Sequence, residues 1–517
     1  MKKTYIAFVA AVAALPIFAE IKMGAPFTDG AVLQRGMKVP VWGKVTPPMS
    51  KMLRKVRVEF AGQEKVAVVG KGGEWRVDLD PMEASKESRT MKVSELTPGF
   101  FFDSVNETVE VKDILVGEVW FASGQSNMEC PIWGGGTRYR DMKGGLMTTM
   151  TYLPNIRYVK SPHRWSVEPV ELSAKWCKFT PESLQLFHRE NGGAGVELSA
   201  VAFYYARELY LALDVPIGII DASWGGTNID AWTPRSGYGD GCDESIRETA
   251  KYPVKADWKA ETDRKGPIGW AHQQPTVLYN GMAAAYAPMA MRGFIWYQGC
   301  HNSGEPQLYC AKLHALYNGW SRDFENPDLK LYVVQLAPWK QNWLGICMAQ
   351  TQFCAEEKNA ALAVTADVGN FDDIHPNDKE IVSKRLAVHA LKRDYGFAIP
   401  EDDSPVLKSV SFADGKATLT FDNVKDWYVY AQDYSRKPAF ELAGADGNWQ
   451  DAKVLNYRKQ KGNDGKESET DYIDGEKIIL SSDGVPEPVK VRYMAKPRTS
   501  GTLYNEASLP LGPFETK

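Results

Sequence analysis

The chain has 517 residues, 44% hydrophobic and 24% charged, with a formal net charge of −4 at pH 7. This length exceeds what one hydrophobic core usually organises, so we expect two or three domains. The slightly acidic balance provides no positive field for polyanions, and a nucleic acid partner is therefore not expected.

The first 19 residues have the pattern of an export signal. Two lysines precede an apolar run over residues 5–15, and Ala19 stands before Glu20. The run is too short to cross a bilayer, and a buried N-terminal element is the alternative interpretation. We predict cleavage of residues 1–19 and a secreted or periplasmic protein. No later segment has the length and apolarity of a membrane helix, so no membrane span is expected.

Residues 20–112 and 398–517 are rich in short β-strand patterns. Apolar and polar residues alternate between turns rich in glycine and proline, for example over 56–60, 75–79 and 417–421. This alternation predicts an N-terminal β-sandwich domain and a C-terminal β domain.

Residues 113–397 have a different sequence pattern, in which apolar strand segments alternate with helical segments. The predicted strands are 114–122, 156–159, 215–222, 294–297, 330–336 and 360–366, and the predicted helices include 199–213, 307–324 and 378–392. This order predicts an α/β domain with a parallel central sheet covered on both faces. Ligands in such domains bind beyond the carboxyl ends of the strands.

The chain shows no cofactor motif. It has no HExxH, P-loop or GxGxxG in its proper context, so neither a metal nor a nucleotide is expected. The seven cysteines are scattered without a CxxC pair, which argues against a dense disulfide framework and against a structural zinc site, and leaves disulfide connectivity open. The histidines 163, 188, 272, 314 and 389 are expected to be surface or packing residues.

Four loops at predicted strand ends carry residues suited to acyl transfer. Ser126 follows the first strand, a Gly225-Gly226 turn follows another, and Asn302 and His375 follow two later strands. A serine activated by an imidazole is a nucleophile, and backbone N–H groups with an amide side chain can form an oxyanion hole. Taken alone, a serine in a glycine-containing turn is more often a helix cap.

These loops resemble the sialate O-acetylesterase family, whose catalytic domain is of the SGNH (GDSL-like) class. The likeness rests on Gly124-Gln125-Ser126-Asn127-Met128, residues 223–232, Trp296-Tyr297-Gln298-Gly299 and Asp373-Ile374-His375-Pro376, and it extends over nearly the whole mature chain. It implies a three-layer α/β/α SGNH-hydrolase domain between the two β domains. It also implies Ser126 as nucleophile, His375 as base, and the N–H groups of Ser126 and Gly226 with the Asn302 side chain as oxyanion donors.

Two positions depart from the resemblance. The family's Gly-Glu-Ser-Asn block reads Gly-Cys-His-Asn at 299–302, so His301 becomes a candidate substrate contact beside Gln125 and Gln298. The acid that orients the base is expected at Asp372, three residues before His375, with Asp373 or a backbone carbonyl as alternatives.

The resemblance implies a serine esterase that removes O-acetyl groups from sialic acids or related glycans through an acetyl-enzyme. The alternatives are an acetylxylan or other carbohydrate acetylesterase, and a catalytically silent sugar-binding protein. Trp224, Trp296 and Tyr297 are expected to crowd the acyl site and favour acetyl over longer esters. The acetyl position, the glycan and the oligomeric state are not determined by the sequence.

Overall fold

The computed structural model describes residues 20–46, 54–132, 152–191, 198–247, 271–430, 438–458 and 471–516. The predicted signal sequence, residues 1–19, lies outside the described residues. All seven cysteines lie within them, and none is disulfide bonded. No described helix has the length and apolarity needed to span a bilayer.

The N-terminal part is built mainly from antiparallel strands around their own hydrophobic cluster, with one parallel pair between Val32–Gln34 and residues 115–117. One sheet has the order β1-β3-β6, while β4 pairs with β5 and β7, and β7 pairs with β8. The strands are β1 Glu20–Met23, β2 Val32–Gln34, β3 Val39–Thr46, β4 Lys55–Phe60, β5 Gln63–Val68, β6 Glu74–Leu79, β7 Ser85–Thr97 and β8 Ser104–Gly124. Because β8 continues into the central sheet, the predicted boundary at residue 112 falls inside a single strand.

The central part alternates strands and helices. Its strands are β9 Leu153–Lys160, β10 Cys177–Phe179, β11 Ile217–Ser223, β12 Gly293–Tyr297, β13 Lys330–Val334 and β14 Ala360–Ala363. Its helices are α1 Ser126–Glu129, α2 Pro181–Asn191, α3 Ala200–Leu213, α4 Glu244–Arg247, α5 Pro306–Asp323, α6 Leu344–Glu356 and α7 Lys379–Arg393. The six predicted strands and the three predicted helices are confirmed, whereas α6 was not among the predicted helices.

The main sheet is mixed, with the order β10-β9-β11-β8-β12-β13-β14. The β10–β9 pair is antiparallel and the remaining pairs along this path are parallel. The chain order reverses at β8, since β11 lies on one side of it and β12 on the other. Ligands of open α/β sheets bind at such a reversal, outside the carboxyl ends of the strands.

Adjacent residues of β8 contact helices on opposite faces of the sheet. The Trp120 ring packs on Tyr205 of α3 at a centroid distance of 5.3 Å, and Phe121 packs on Trp320 of α5 at 5.0 Å. Side chains of successive strand residues point to opposite faces, so both faces of β8 are covered. Because both faces are covered there, residues 114–122 of β8 are mostly apolar instead of alternating between apolar and polar.

The C-terminal part consists of antiparallel strand pairs around a third hydrophobic cluster. It forms sheets of order β15-β16-β23-β20, β21-β22-β17-β25 and β19-β18-β24-β26. The strands are β15 Val406–Ala413, β16 Lys416–Asp422, β17 Trp427–Val429, β18 Phe440–Ala443, β19 Trp449–Asp451, β20 Lys453–Val454, β21 Tyr457–Arg458, β22 Asp471–Ile473, β23 Ile478–Ser481, β24 Lys490–Tyr493, β25 Leu503–Tyr504 and β26 Phe514–Glu515.

Candidate active site

The ends of three neighbouring strands lie level with one another. In the sheet register, Gly124 of β8 is opposite both Ser223 of β11 and Tyr297 of β12. The loops that follow these strands therefore start from one edge of the sheet. This register brings the Ser126 turn, the Gly225-Gly226 turn and the Asn302 segment together.

Gly124 makes the sharp turn that presents Ser126. Its φ is +141°, and a Cβ there would lie 2.3 Å from the carbonyl oxygen of Tyr297, so only glycine fits. The N–H of Gln125 donates to that same carbonyl at 3.0 Å. The turn is thus anchored to β12, and the half-buried Ser126 begins α1.

Ser126, His375 and Asp373 form a hydrogen-bonded line. His375 Nε2 lies 2.9 Å from Ser126 Oγ, and His375 Nδ1 lies 3.0 Å from Asp373 Oδ1. A carboxylate that accepts a hydrogen bond from Nδ1–H keeps the proton on that nitrogen, and so leaves the Nε2 lone pair directed at the hydroxyl. Asp373 Oδ1 also accepts the backbone N–H of His375 at 3.0 Å. The arrangement can remove a proton from Ser126, which is the first requirement of nucleophilic catalysis.

The expected position of the acid, Asp372, is wrong. The Asp372 side chain is 82% exposed, and its Oδ1 accepts from Arg498 at 2.9 Å. Asp373 instead forms a side-chain turn, in which its Oδ1 accepts the backbone N–H of His375 two residues later and so holds the carboxylate beside the imidazole. The tendency of Asp to bond the backbone two residues further on was the signal in the sequence that favoured Asp373.

The environment of His375 favours the neutral imidazole. Burial lowers the pKa of His375, the nearby Lys379 cation lowers the pKa further, and Asp373 opposes both. Lys379 itself is completely buried at the start of α7. A base that remains neutral at lower pH stays able to accept a proton there.

Asn127 joins the nucleophile helix to the loop that carries the base. Its Oδ1 accepts from Lys379 Nζ at 2.5 Å, and its Nδ2 donates to the carbonyl oxygen of Ile374 at 3.1 Å. The ammonium of Lys379 also lies 5.3 Å from the centre of the Tyr297 ring. Sequence analysis missed both Asn127 and Lys379. Their adjacency to Ser126 and to the His375 loop was the only available signal.

The glycine turn lies against the nucleophile. A Cβ at Gly225 would lie 3.2 Å from Ser126 Cβ, and the Gly225 N–H donates to Glu129 Oε2 at 2.5 Å. Gly226 is exposed with φ +70°, a left-handed conformation that favours glycine, and nothing lies within 4 Å of its Cβ position. The Gly226 backbone thus borders open space beside Ser126.

Asn302 is buried and held by three hydrogen bonds. Its Oδ1 accepts from the Ile229 N–H at 3.0 Å and from Gln298 Nε2 at 2.7 Å, while its Nδ2 donates to Glu305 Oε1 at 2.7 Å. Lys312 Nζ bonds the same Glu305 oxygen at 2.5 Å. These contacts fix the orientation of the Asn302 amide, whose Nδ2 carries two hydrogens.

The three candidate substrate contacts occupy different environments. Gln298 is completely buried and bonds Asn302, the Thr227 carbonyl and the Tyr309 hydroxyl, so its prediction as a substrate contact is wrong. Gln125 is also buried, and its Oε1 accepts from the N–H groups of Gly299 and His301. Only His301 is exposed, and partial desolvation lowers the pKa of its imidazole.

An aromatic stack missed by the sequence analysis borders the site. The half-buried Trp224 lies between His163 and His272, with ring centroids 4.3 Å and 4.9 Å away and interplanar angles of 3° and 11°. His163 Nε2 is 2.8 Å from Glu129 Oε1. Trp296 and Tyr297, in contrast, are fully buried and do not face the acyl site, contrary to expectation.

Known proteins similar to this chain are carbohydrate esterases. A family model described as carbohydrate esterase, sialic acid-specific acetylesterase, matches residues 265–392, a range that includes Asn302 and His375. The chain is 27% identical over 429 residues to a sialate O-acetylesterase of Pongo abelii, across 76% of this chain and 74% of that protein. It is 25% identical over 424 residues to a sialate O-acetylesterase of Homo sapiens, across 76% and 74%.

A solved structure shares the fold over nearly the full length. It is a carbohydrate acetylesterase from Xanthomonas citri that is 29% identical to this chain, with a TM-score of 0.75. The alignment covers 96% of this chain and 100% of that one. The fold and the matches define a carboxylic ester hydrolase of the carbohydrate esterase class. Within that class, residues 265–392 match the sialic acid-specific acetylesterase model, and the chain is similar to sialate O-acetylesterases over 76% of its length.

Proposed function

We propose that the protein is a serine esterase that removes O-acetyl groups from sialic acids or related glycans through an acetyl-enzyme. The observation that carries this proposal is the hydrogen-bonded line from Asp373 through His375 to Ser126. The names of the relatives, which include sialate O-acetylesterases, support the choice of substrate.

In the first half-reaction, Ser126 Oγ attacks the acetyl carbonyl while His375 Nε2 takes the hydroxyl proton. Asp373 stabilises the imidazolium that forms. The N–H groups of Ser126 and Gly226 and the Asn302 amide are the proposed donors to the oxyanion. His375 then gives its proton to the departing sugar oxygen, which leaves an acetyl ester on Ser126.

In the second half-reaction, water attacks the acetyl-enzyme and His375 takes a proton from that water. Acetate then leaves and Ser126 regains its proton from the imidazolium. No metal or organic cofactor enters either step. The rate depends on neutral His375, so we expect activity to fall as the pH drops through the His375 pKa, which burial and Lys379 lower.

We infer the three-layer α/β/α SGNH arrangement from the helices on both faces of β8. The flanking domains are proposed as residues 20–112 and 398–517, with the catalytic domain over 113–397. The lysine-led apolar run over residues 1–19 supports a cleaved signal peptide and a secreted or periplasmic location.

A second candidate is an acetylxylan or other carbohydrate acetylesterase. The full-length likeness to the Xanthomonas citri carbohydrate acetylesterase favours it, because that likeness covers more of the chain than the sialate O-acetylesterases do. The silent sugar-binding alternative is disfavoured, since the serine and histidine are hydrogen bonded to each other.

The deciding experiment measures acetate release from O-acetylated sialic acids and from acetylated xylan, with the Ser126→Ala protein as control. We expect release from sialic acids that depends on Ser126. Release from xylan alone would favour the second candidate. If neither sugar nor 4-nitrophenyl acetate is cleaved, the esterase proposal fails.

A further inference from the structure

Three side chains able to bind a metal converge on the outer face of the central domain. Cys310 and His314 are four residues apart on α5, and Glu356 is the last residue of α6. His314 Nε2 is 2.9 Å from Glu356 Oε2, and Cys310 Sγ is 3.6 Å from the same oxygen. All three atoms lie within 4.8 Å of one another.

These separations are close to those of a tetrahedral zinc site. Zinc bonds of about 2.0–2.3 Å place S, N and O ligands about 3.3–3.6 Å apart. The separation of Cys310 Sγ from Glu356 Oε2 is already in this range, and the His314 nitrogen must move slightly away from Glu356. Residues four apart on a helix present their ligands on one face, as in helical two-histidine zinc sites. The described arrangement supplies three protein ligands and leaves one position open.

Neighbouring side chains already orient two of the three ligands. Gln352 Nε2 donates to Glu356 Oε1 at 2.8 Å and leaves Oε2 directed at the cluster. The Phe353 ring packs edge-on against the His314 imidazole at 4.8 Å. Outer contacts of this kind commonly hold metal ligands in position. Both residues lie on α6, so the same two helices supply the ligands and their supports.

We propose that Cys310, His314 and Glu356 bind one zinc ion, with water as the fourth ligand, and that this ion clamps α5 to α6. A thiolate and a carboxylate together neutralise the two charges of Zn²⁺. The clamp is structural. It lies outside the Ser126 site and does not depend on the proposed esterase function.

Zinc binding must release a proton. The Cys310 thiol loses its proton to solvent when the sulfur bonds the metal, since the ligand is the thiolate. The proton on His314 Nε2 moves to Nδ1 or to solvent, because that nitrogen becomes the ligand.

A second group of metal-type side chains shows why the first is the better site. His389, Asp402 and Asp403 also converge. However, Arg393 bonds both Asp402 and Asp403 at 2.6 Å, and Lys392 lies 2.7 Å from Asp402. These cations already neutralise the carboxylates. Among the described ion pairs, Glu356 has only His314 as a partner.

The test is metal binding to the full-length protein after treatment with EDTA. Zn²⁺ is titrated by calorimetry, and Co²⁺ is added as a coloured substitute whose thiolate charge-transfer band reports a Cys ligand. We expect one equivalent of zinc, a thiolate–cobalt band, and a melting temperature that rises with zinc. Binding should weaken as the pH falls, because protons compete for the ligands.

Two single variants and a matched control make the result specific. Cys310→Ser should abolish the cobalt–thiolate band, and Glu356→Gln should weaken zinc binding at least tenfold. Cys242→Ser removes another half-buried thiol beside α5 and should leave both signals unchanged. The proposal is overturned if the wild-type protein binds no zinc, or if Cys310→Ser binds zinc as tightly as the wild type with both proteins folded by circular dichroism.

Discussion

Two histidines of the central domain have the same carboxylate contact but opposite surroundings. His375 Nδ1 lies 3.0 Å from Asp373, and His389 Nδ1 lies 3.2 Å from Asp402. The second nitrogen of His375 meets the Ser126 hydroxyl, whereas that of His389 meets the Leu362 carbonyl at 3.2 Å. A hydroxyl can donate a proton to the imidazole and a carbonyl cannot. A histidine–carboxylate pair therefore becomes a base only through what faces its other nitrogen.

The alanine variants of the two histidines test this contrast most strongly. Ser126→Ala and His375→Ala should each lower kcat/KM by about ten-thousandfold, because members of one catalytic unit fail together. His389→Ala should keep the chemistry and lower the free energy of unfolding by about 1–3 kcal/mol, since it removes a buried imidazole together with its contacts to Asp402 and the Leu362 carbonyl. Hydrolysis of 4-nitrophenyl acetate and thermal melting measure the two effects. Near wild-type turnover by Ser126→Ala would overturn the assignment.

The carboxylates beside His375 give the next largest expected effect. Asp373→Asn should lower kcat by about a hundredfold or more, because the amide no longer favours the productive tautomer. Asp372→Asn is the matched control and should change kcat less than about twofold, since this carboxylate is exposed and bonded to Arg498. If Asp372→Asn were the damaging change, the described loop geometry would be wrong.

The acyl group that the Ser126 site accepts can be measured with esters of increasing chain length. We expect good cleavage of acetyl esters, poor cleavage of butyryl esters and barely any of octanoyl esters, with about tenfold to two-hundredfold discrimination for each methylene that does not fit. Trp224 is half-buried and directly precedes Gly225, which lies against Ser126, so Trp224→Ala should reduce this discrimination. The measurement compares kcat/KM across the three 4-nitrophenyl esters. A rate that rises with chain length in the wild-type protein would exclude a site shaped for acetyl groups.

Replacement of Lys379, the buried cation near His375, has the smallest expected effect on activity. The effect appears as a shift of the pH profile. Lys379 lowers the His375 pKa, so Lys379→Met should raise that pKa and move the acid limb of kcat to higher pH. Activity then falls mainly on the acidic side, where more of the base is protonated. Lys379→Arg keeps the charge and serves as control. Equal profiles for the Met and Arg variants would remove Lys379 as an electrostatic influence on the base.

Much of the central domain could be predicted because local patterns and burial agree there. The second half of β8, predicted as strand 114–122, is buried on both faces. Helix α7 has both a capping residue and a clear end. Asp378 caps its first turn by accepting the Ile381 N–H at 3.1 Å, and basic residues occupy its last turn. Such signals lie within a few residues of one another, so one sequence suffices to find them.

Contacts between distant segments were not predictable in the same way. Asn127 is hydrogen bonded to Ile374 and Lys379, which both lie about 250 positions further along the chain. Gln298 looked like a substrate contact because it stands in a strand-end motif, yet its amide is used to hold Asn302. Which side of a loop points inwards depends on packing that no local pattern encodes.

The sequence by itself determined the chain order of the predicted strands and helices and the position of the four strand-end loops, because turn chemistry and hydrophobic periodicity are local. The family resemblance of those loops pointed to Ser126 and His375. Only the tertiary structure decided that Asp373 and not Asp372 contacts His375. It also decided that Trp296 and Tyr297 are buried. The same packing brought Cys310, His314 and Glu356 together. These outcomes depend on strand register and helix packing, which arise when segments far apart in the chain bury their apolar faces against each other.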